Sequence, residues 1–286
     1  MNERMAQHGS GFFSLQRAPD RQLELGVVPL LMGLALMYLG MFVGQVVAVA
    51  AVAGAALTNG AELQVEQLTT RQQAIILMAG QLGGVVALIV FLTVFWRFNF
   101  DMPTSRFWRR MGVLPYTLNE FGLAAGGVLV LLFLYVNVAI ITILISKWLG
   151  MDSPKVGHVM LEMMQQTQST TDLTLLIVVA VVLAPICEEI AFRGFVQTAI
   201  LNLWGPNPGV LQHWMAIIIT SIVFAVPHMP SVAWQALPGL VVVGLVLGWL
   251  YERTGSLLAP ILVHMAFNGL MVLATIWLTS SAPVAP

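Results

Sequence analysis

An all-α polytopic bundle of about seven transmembrane helices is the fold this sequence predicts, on two observations. Only 9% of the 286 residues are charged and 58% are hydrophobic, where soluble domains carry roughly 25% charged residues. So few charges cannot cover a water-facing surface. The apolar residues also fall in runs long enough to cross a hydrocarbon core about 30 Å thick at about 1.5 Å per residue. The formal net charge of −1 supplies no basic face, so a nucleic-acid partner is not expected. The single cysteine, Cys187, excludes an internal disulfide framework and a multi-cysteine metal cage.

Residues 1–26, with Arg4, Arg17 and Arg21 among polar groups, read as a cytoplasmic N-terminal segment. The run that follows, roughly 27–57, is too long for a signal-peptide core and is expected to be a retained first span. Two further runs, roughly 74–96 and 121–146, complete the transmembrane helices and loops expected over 27–172. The arginines between them, Arg97, Arg106, Arg109 and Arg110, mark an interfacial cytoplasmic loop, and the connection at roughly 147–172 is polar and short. Runs at roughly 173–203, 214–228, 237–252 and 257–279 supply four more helices in a region expected over 173–279, ahead of a short tail at 280–286. The fifth and sixth are short, and Pro185, Pro227 and Pro260 fall inside or at the ends of three of them. Such interruptions are tolerated where neighbouring helices satisfy the freed backbone groups. A re-entrant segment or eighth span near 204–214, where Trp204 to Gly209 is rich in Gly and Pro, is the alternative. The Lys/Arg bias places the N-terminus in the cytoplasm and the C-terminus outside, with the lipid bilayer of the cell (inner) membrane as the surroundings.

Ionisable residues inside spans are costly, and here they gather in the C-terminal half. In Cys187-Glu188-Glu189-Ile190-Ala191-Phe192-Arg193, Glu189 and Arg193 stand four apart on one helical face, so their ion pair lowers the cost of burying both. Glu188 has no in-helix partner, which suits a general base or acid. His228 closes the fifth run after Phe224. His264 and Asn268 stand four apart in the seventh, placed to touch one ligand or one reacting carbonyl. Counting residues along antiparallel helices puts Glu188 and His228 at one depth. His264 reaches that depth only if the turn near Glu252 to Ser256 is sunk into the protein or the last helix is tilted.

The three patterns, EExxxR at Glu188-Glu189 with Arg193, FxxxH at Phe224 with His228, and HxxxN at His264 with Asn268, resemble the CPBP family of CAAX proteases and bacteriocin-processing enzymes, also called Abi. The resemblance covers roughly residues 173–272, and the first three spans match only as generic membrane helices. It implies an intramembrane endopeptidase acting on a membrane-associated peptide or protein substrate, such as a CAAX-type or leader peptide. It further implies that Glu188 and His228 activate the water and that His264 and Asn268 stabilise the oxyanion, with Glu189 and Arg193 supporting. Glutamate and histidines from separate helices also suit an open zinc site, with Glu188, His228 and His264 as ligands. Asn268 fits an oxyanion donor better than a zinc ligand, so no cofactor is required by this reading.

Two other functions fit the same residue types. A non-proteolytic scaffold or bacteriocin self-immunity protein of the same fold is weakened by the presence of every motif residue. A proton-coupled transporter is weakened by the lack of a duplicated half with matching broken helices.

Overall fold

The computed structural model describes residues 27–58, 68–99, 118–151, 158–205, 207–229 and 231–280. The expected N-terminal segment, the arginine-bearing loop at 100–117 and the tail beyond 280 lie outside the described residues. Seven helices are long and apolar enough to cross a membrane, and no strand is formed among the described residues. They are α1 (Val27–Thr58), α2 (Thr70–Asn99), α3 (Leu118–Trp148), α5 (Thr170–Asn202), α6 (Val210–His228), α7 (Leu237–Thr254) and α8 (Leu258–Ser280). A helix satisfies its backbone polar groups within itself, which is what a lipid environment demands of any spanning segment. The described residues of 203–209 form a turn between α5 and α6, and no further span is present among the described residues there.

The first two helices cross at close range because Gly40, Gly44 and Gly83 lack side chains. A Cβ at any of them would run into the partner helix's backbone. The main core joins all seven spans, with Phe195, Phe224, Leu247, Leu250 and Tyr251 almost wholly buried beside Leu30 of α1, Leu88 of α2 and Leu131 of α3.

Helix α5 is irregular around its charged pair. Val178–Leu183 and Ile190–Gln197 are π-helical, and the α-helical turn Ala184–Glu189 stands between them. Pro185 lies mid-helix, where the first π-helical stretch gives way to that central segment, and it has no N–H to give the helix. Side chains bind two carbonyls of these wider turns. Asn268 Nδ2 donates to Ala180 O at 2.9 Å and Thr198 Oγ1 donates to Arg193 O at 3.0 Å.

The α7–α8 turn resolves the depth question raised by His264. Gly255 takes the left-handed conformation at φ 60° and donates its N–H to Tyr251 O at 2.7 Å, closing the helix with a tight cap. Glu252, Ser256 and Leu257 around it are 0%, 3% and 0% exposed, so the turn is sunk into the protein.

The connection expected as a polar loop at 147–172 contains a short helix, α4 (Val159–Gln166). Eight residues are too few to span a bilayer, so a search for long apolar runs passes over it. Its Met160, Leu161, Met163 and Met164 pack on Leu176 of α5 and Val272 of α8. Its start is tied to the chain beyond α6: Val159 N–H donates to Ser231 O at 2.9 Å, and His158 forms an antiparallel bridge with Val232.

Candidate active site

Glu188, at the centre of α5, is the hub of the polar cluster. Its carboxylate oxygens lie 3.8 Å from His228 Nε2 and 3.7 Å from His264 Nε2. Three helices therefore bring their ionisable groups to one point, as the shared depth requires. Both separations exceed direct hydrogen-bond length. Two bonds of about 2.7 Å meeting at about 90° on one water oxygen would span such a gap.

The other ring nitrogens fix the imidazoles. His228 Nδ1 lies 2.9 Å from Phe224 O, which can only accept, so Nδ1 carries the proton and the neutral ring turns an unprotonated Nε2 to Glu188. His264 Nδ1 lies 2.9 Å from Glu189 Oε1 and donates to that carboxylate. Phe224 has a second part, since its ring stands 5.0 Å from the His228 ring, 6.0 Å from the His264 ring and 5.2 Å from the Arg193 guanidinium carbon. Its aromatic face is therefore shared by a cation and both imidazoles.

The adjacent glutamates have different surroundings. Glu188 is 23% exposed along its side chain, while Glu189 and Arg193 are 0% exposed and pair at 3.0 Å. This pair is the one expected from their spacing. The Arg193 Nε–H does not point squarely at the Glu189 oxygen, and the guanidinium nitrogens make no directed hydrogen bond among the described residues. The contact is thus one of charge and stacking.

Asn268 shares the cavity wall with His264 but spends one amide N–H on Ala180 O. The other remains for a ligand. The cavity into which Glu188 opens has a volume of about 450 Å³, within the range of roughly 300–1,000 Å³ usual for ligand sites. Its walls are largely apolar side chains drawn from all eight helices, and among the described residues no Lys or Arg lines it.

Zinc does not fit this arrangement as it stands. The Nδ1 bonds of His228 and His264 are those that metal-ligating imidazoles make. Yet among the described residues no three His, Cys, Asp or Glu side chains converge as a metal site requires.

Two features of the region have no counterpart in the sequence reading. His158, at the start of α4, lines the same cavity, and its Nδ1 accepts Met160 N–H at 3.0 Å. Burial first, and then the neighbouring His228, push its pKa down to about 4. It lies outside the spans, so the cost of burying charge in lipid did not draw attention to it. The second is a buried network one turn beyond Arg193: Gln197 Nε2 donates to Glu252 Oε1 at 2.7 Å, and His213 Nδ1 lies 2.7 Å from Glu252 Oε2. These contacts tie α5, α6 and α7 together. Glu252 reads in sequence as a turn residue beside the membrane, and only the sunken turn buries it.

Comparison with known proteins agrees with the resemblance. Residues 170–270 match the model of the family described as Type II CAAX prenyl endopeptidase Rce1-like, which is consistent with the CPBP pattern. An Escherichia coli protein described as an uncharacterized 24.3 kDa protein is 31% identical over 98 residues, 34% of this chain and 43% of that relative. The chain thus covers less than half the length of that curated relative. No solved structure matches. The matched segment begins with α5 and holds Glu188, His228, His264 and Asn268, while α1, α2 and α3 lie outside it.

Proposed function

We propose that this protein is an intramembrane endopeptidase that hydrolyses a peptide bond of a membrane-associated substrate with a water activated by Glu188 and His228. The observation that carries this reading is the division between the two glutamates. Glu188 opens to an apolar cavity and faces two imidazoles, while Glu189 lies beneath it, buried against Arg193.

A water between Glu188 and His228 gives a proton to the carboxylate as its oxygen attacks the scissile carbonyl carbon. His228 Nε2, unprotonated while its Nδ1–H is held by Phe224 O, accepts the water's second hydrogen as a hydrogen bond. The carbonyl oxygen becomes an oxyanion, met by the free amide N–H of Asn268 and by His264. His264 donates from Nε2 once it carries both protons, as an imidazolium between the carboxylates of Glu188 and Glu189. The C–N bond then breaks, the amine takes the proton from Glu188, and the water oxygen remains in the new carboxyl group. No step requires a metal.

The apolar walls, with no Lys or Arg among the described lining residues, fit a peptide carrying apolar side chains or a lipid chain. A prenylated CAAX-type peptide and a leader peptide are the two substrate classes to test first. In this reading the protein sits in the cell (inner) membrane with its N-terminus on the cytoplasmic side, as the Lys/Arg bias of the sequence suggests. The test is mass spectrometry of a peptide panel incubated with the purified protein: a farnesylated CAAX-ended peptide, its unprenylated form and an apolar leader peptide, each with and without a chelator. Cleavage that survives the chelator and is lost in Glu188→Gln supports the proposal. Cleavage that persists in Glu188→Gln, or that vanishes with the chelator, overturns the water-activation scheme.

A further inference from the structure

A peptide entering the cavity leaves water behind, and each of its backbone N–H and C=O groups then needs a partner in a largely apolar surround. Two polar side chains on the wall, outside the three motifs, each carry an atom with no hydrogen-bond partner among the described residues. The first is His158. Its Nδ1 accepts Met160 N–H, so in the neutral ring the proton sits on Nε2, and among the described residues no protein group accepts from it. The second is Gln81 of α2, whose Oε1 is buried without a hydrogen-bond partner among the described residues. Both side chains line the cavity that holds Glu188, His228 and His264. One is a donor and the other an acceptor, the two kinds of group that a peptide backbone needs.

We infer that His158 and Gln81 form a peptide-backbone binding subsite, with His158 Nε2–H donating to a substrate carbonyl and Gln81 Oε1 accepting a substrate N–H. The inference rests on the endopeptidase reading and adds to it residues outside the three motifs. His158 is held for this work at both ends: its ring caps α4, and its backbone bridges Val232, just beyond His228. A substrate held there is held at a fixed position relative to His228. Such binding is uniform, made before and during reaction, so it is read in KM and not in kcat.

The experiment uses the full-length Glu188→Gln protein in detergent and a fluorescein-labelled form of the panel peptide cleaved fastest, or the farnesylated peptide if none is cleaved. Fluorescence anisotropy gives Kd with His158→Phe, His158→Asn or Gln81→Met added. His158→Phe and Gln81→Met should each raise Kd about tenfold, the scale of one lost hydrogen bond. His158→Asn retains a capping oxygen and an N–H donor, and should return Kd to within about threefold of parent. In the cleaving background, His158→Phe should raise KM about tenfold and leave kcat within about threefold.

A purely structural role for His158 would lower Tm in His158→Phe with no change in Kd among folded molecules. Gln81→Met touches no cap and so reports on binding alone. Unchanged Kd in both variants overturns the subsite while leaving the endopeptidase reading intact. A peptide that neither binds Glu188→Gln nor is cleaved by the parent overturns both.

Discussion

The first three spans and the last four are built on different terms. In the apolar windows of α1, α2 and α3, 17%, 28% and 11% of residues are buried, against 39%, 39%, 44% and 33% in α5, α6, α7 and α8. The first group turns Leu, Val and Phe outward and spends glycine on close helix packing. The second buries Glu189, Arg193, Gln197, His213, Glu252 and His264, and each needs a partner from another turn or another helix. Lipid makes an exposed apolar surface inexpensive and an unpaired charge costly. The difference teaches that substitution should be nearly silent on the lipid face of the first group and severe in the interior of the second. Between them, α1 and α2 supply cavity wall to a site whose motif residues they do not carry.

The largest expected effect is on turnover. Glu188→Gln should reduce cleavage about 10²–10⁴-fold, with thermal unfolding in detergent close to that of the parent, because Glu188 is partly exposed and lies beyond hydrogen-bond length from both imidazoles. A large loss of Tm would mean that its role is structural. Next comes stability. Arg193→Ala leaves Glu189 buried without its cation, with only the His264 hydrogen bond, and should cost about 3–5 kcal/mol. Arg71→Ala removes the Arg71–Asp172 pair, 2.7 Å long but with Arg71 55% exposed, and should cost at most about 1 kcal/mol. Denaturation of the two variants side by side checks the contrast, and equal losses would break the division between interior and periphery.

A smaller effect concerns pH. His158 has an ordinary pKa of 6.5 and a folded value of about 4, so between those values the unfolded chain binds a proton that the folded one does not. Stability gained from this group is therefore present above pH 6.5 and falls away as pH drops toward 4. Unfolding measured across that window should show a slope that His158→Phe reduces. The smallest effect is at the lipid face: Phe133→Leu, at a residue 68% exposed on α3, should change stability by less than about 0.5 kcal/mol and leave cleavage unchanged.

Much of the fold was legible because one constraint dominates. Lengths of apolar chain that match the bilayer give the seven spans directly. The Glu189–Arg193 pair followed from four-residue spacing, and it survives although the helix beyond it is π-helical. The π stretches themselves left no trace, since Val178 to Leu183 would satisfy an ordinary helix equally well. The depth of His264 posed a geometric condition in the sequence, and the sunken turn at Gly255 meets it. The site was legible only where the cost of burying charge in a long apolar run drew the eye. His158 and Gln81 escaped because one lies between spans and the other is an uncharged amide in α2. Glu252 and His213 escaped because they stand near span ends, where charge and imidazole ordinarily reach water. Phe224 was legible only as part of the FxxxH pattern, and the place of its ring beside Arg193 and two imidazoles is a fact of three dimensions.

The claim at the centre of this account is that two adjacent glutamates do different work, and Glu188→Gln beside Glu189→Gln tests it most directly. Turnover of the best panel peptide and Tm would be measured on both variants in one detergent. The account predicts lost turnover at parental Tm for Glu188→Gln, and a marked fall in Tm for Glu189→Gln as Arg193 loses its counter-charge. Retained turnover in Glu188→Gln, or a fall in Tm as large as that of Glu189→Gln, would contradict it.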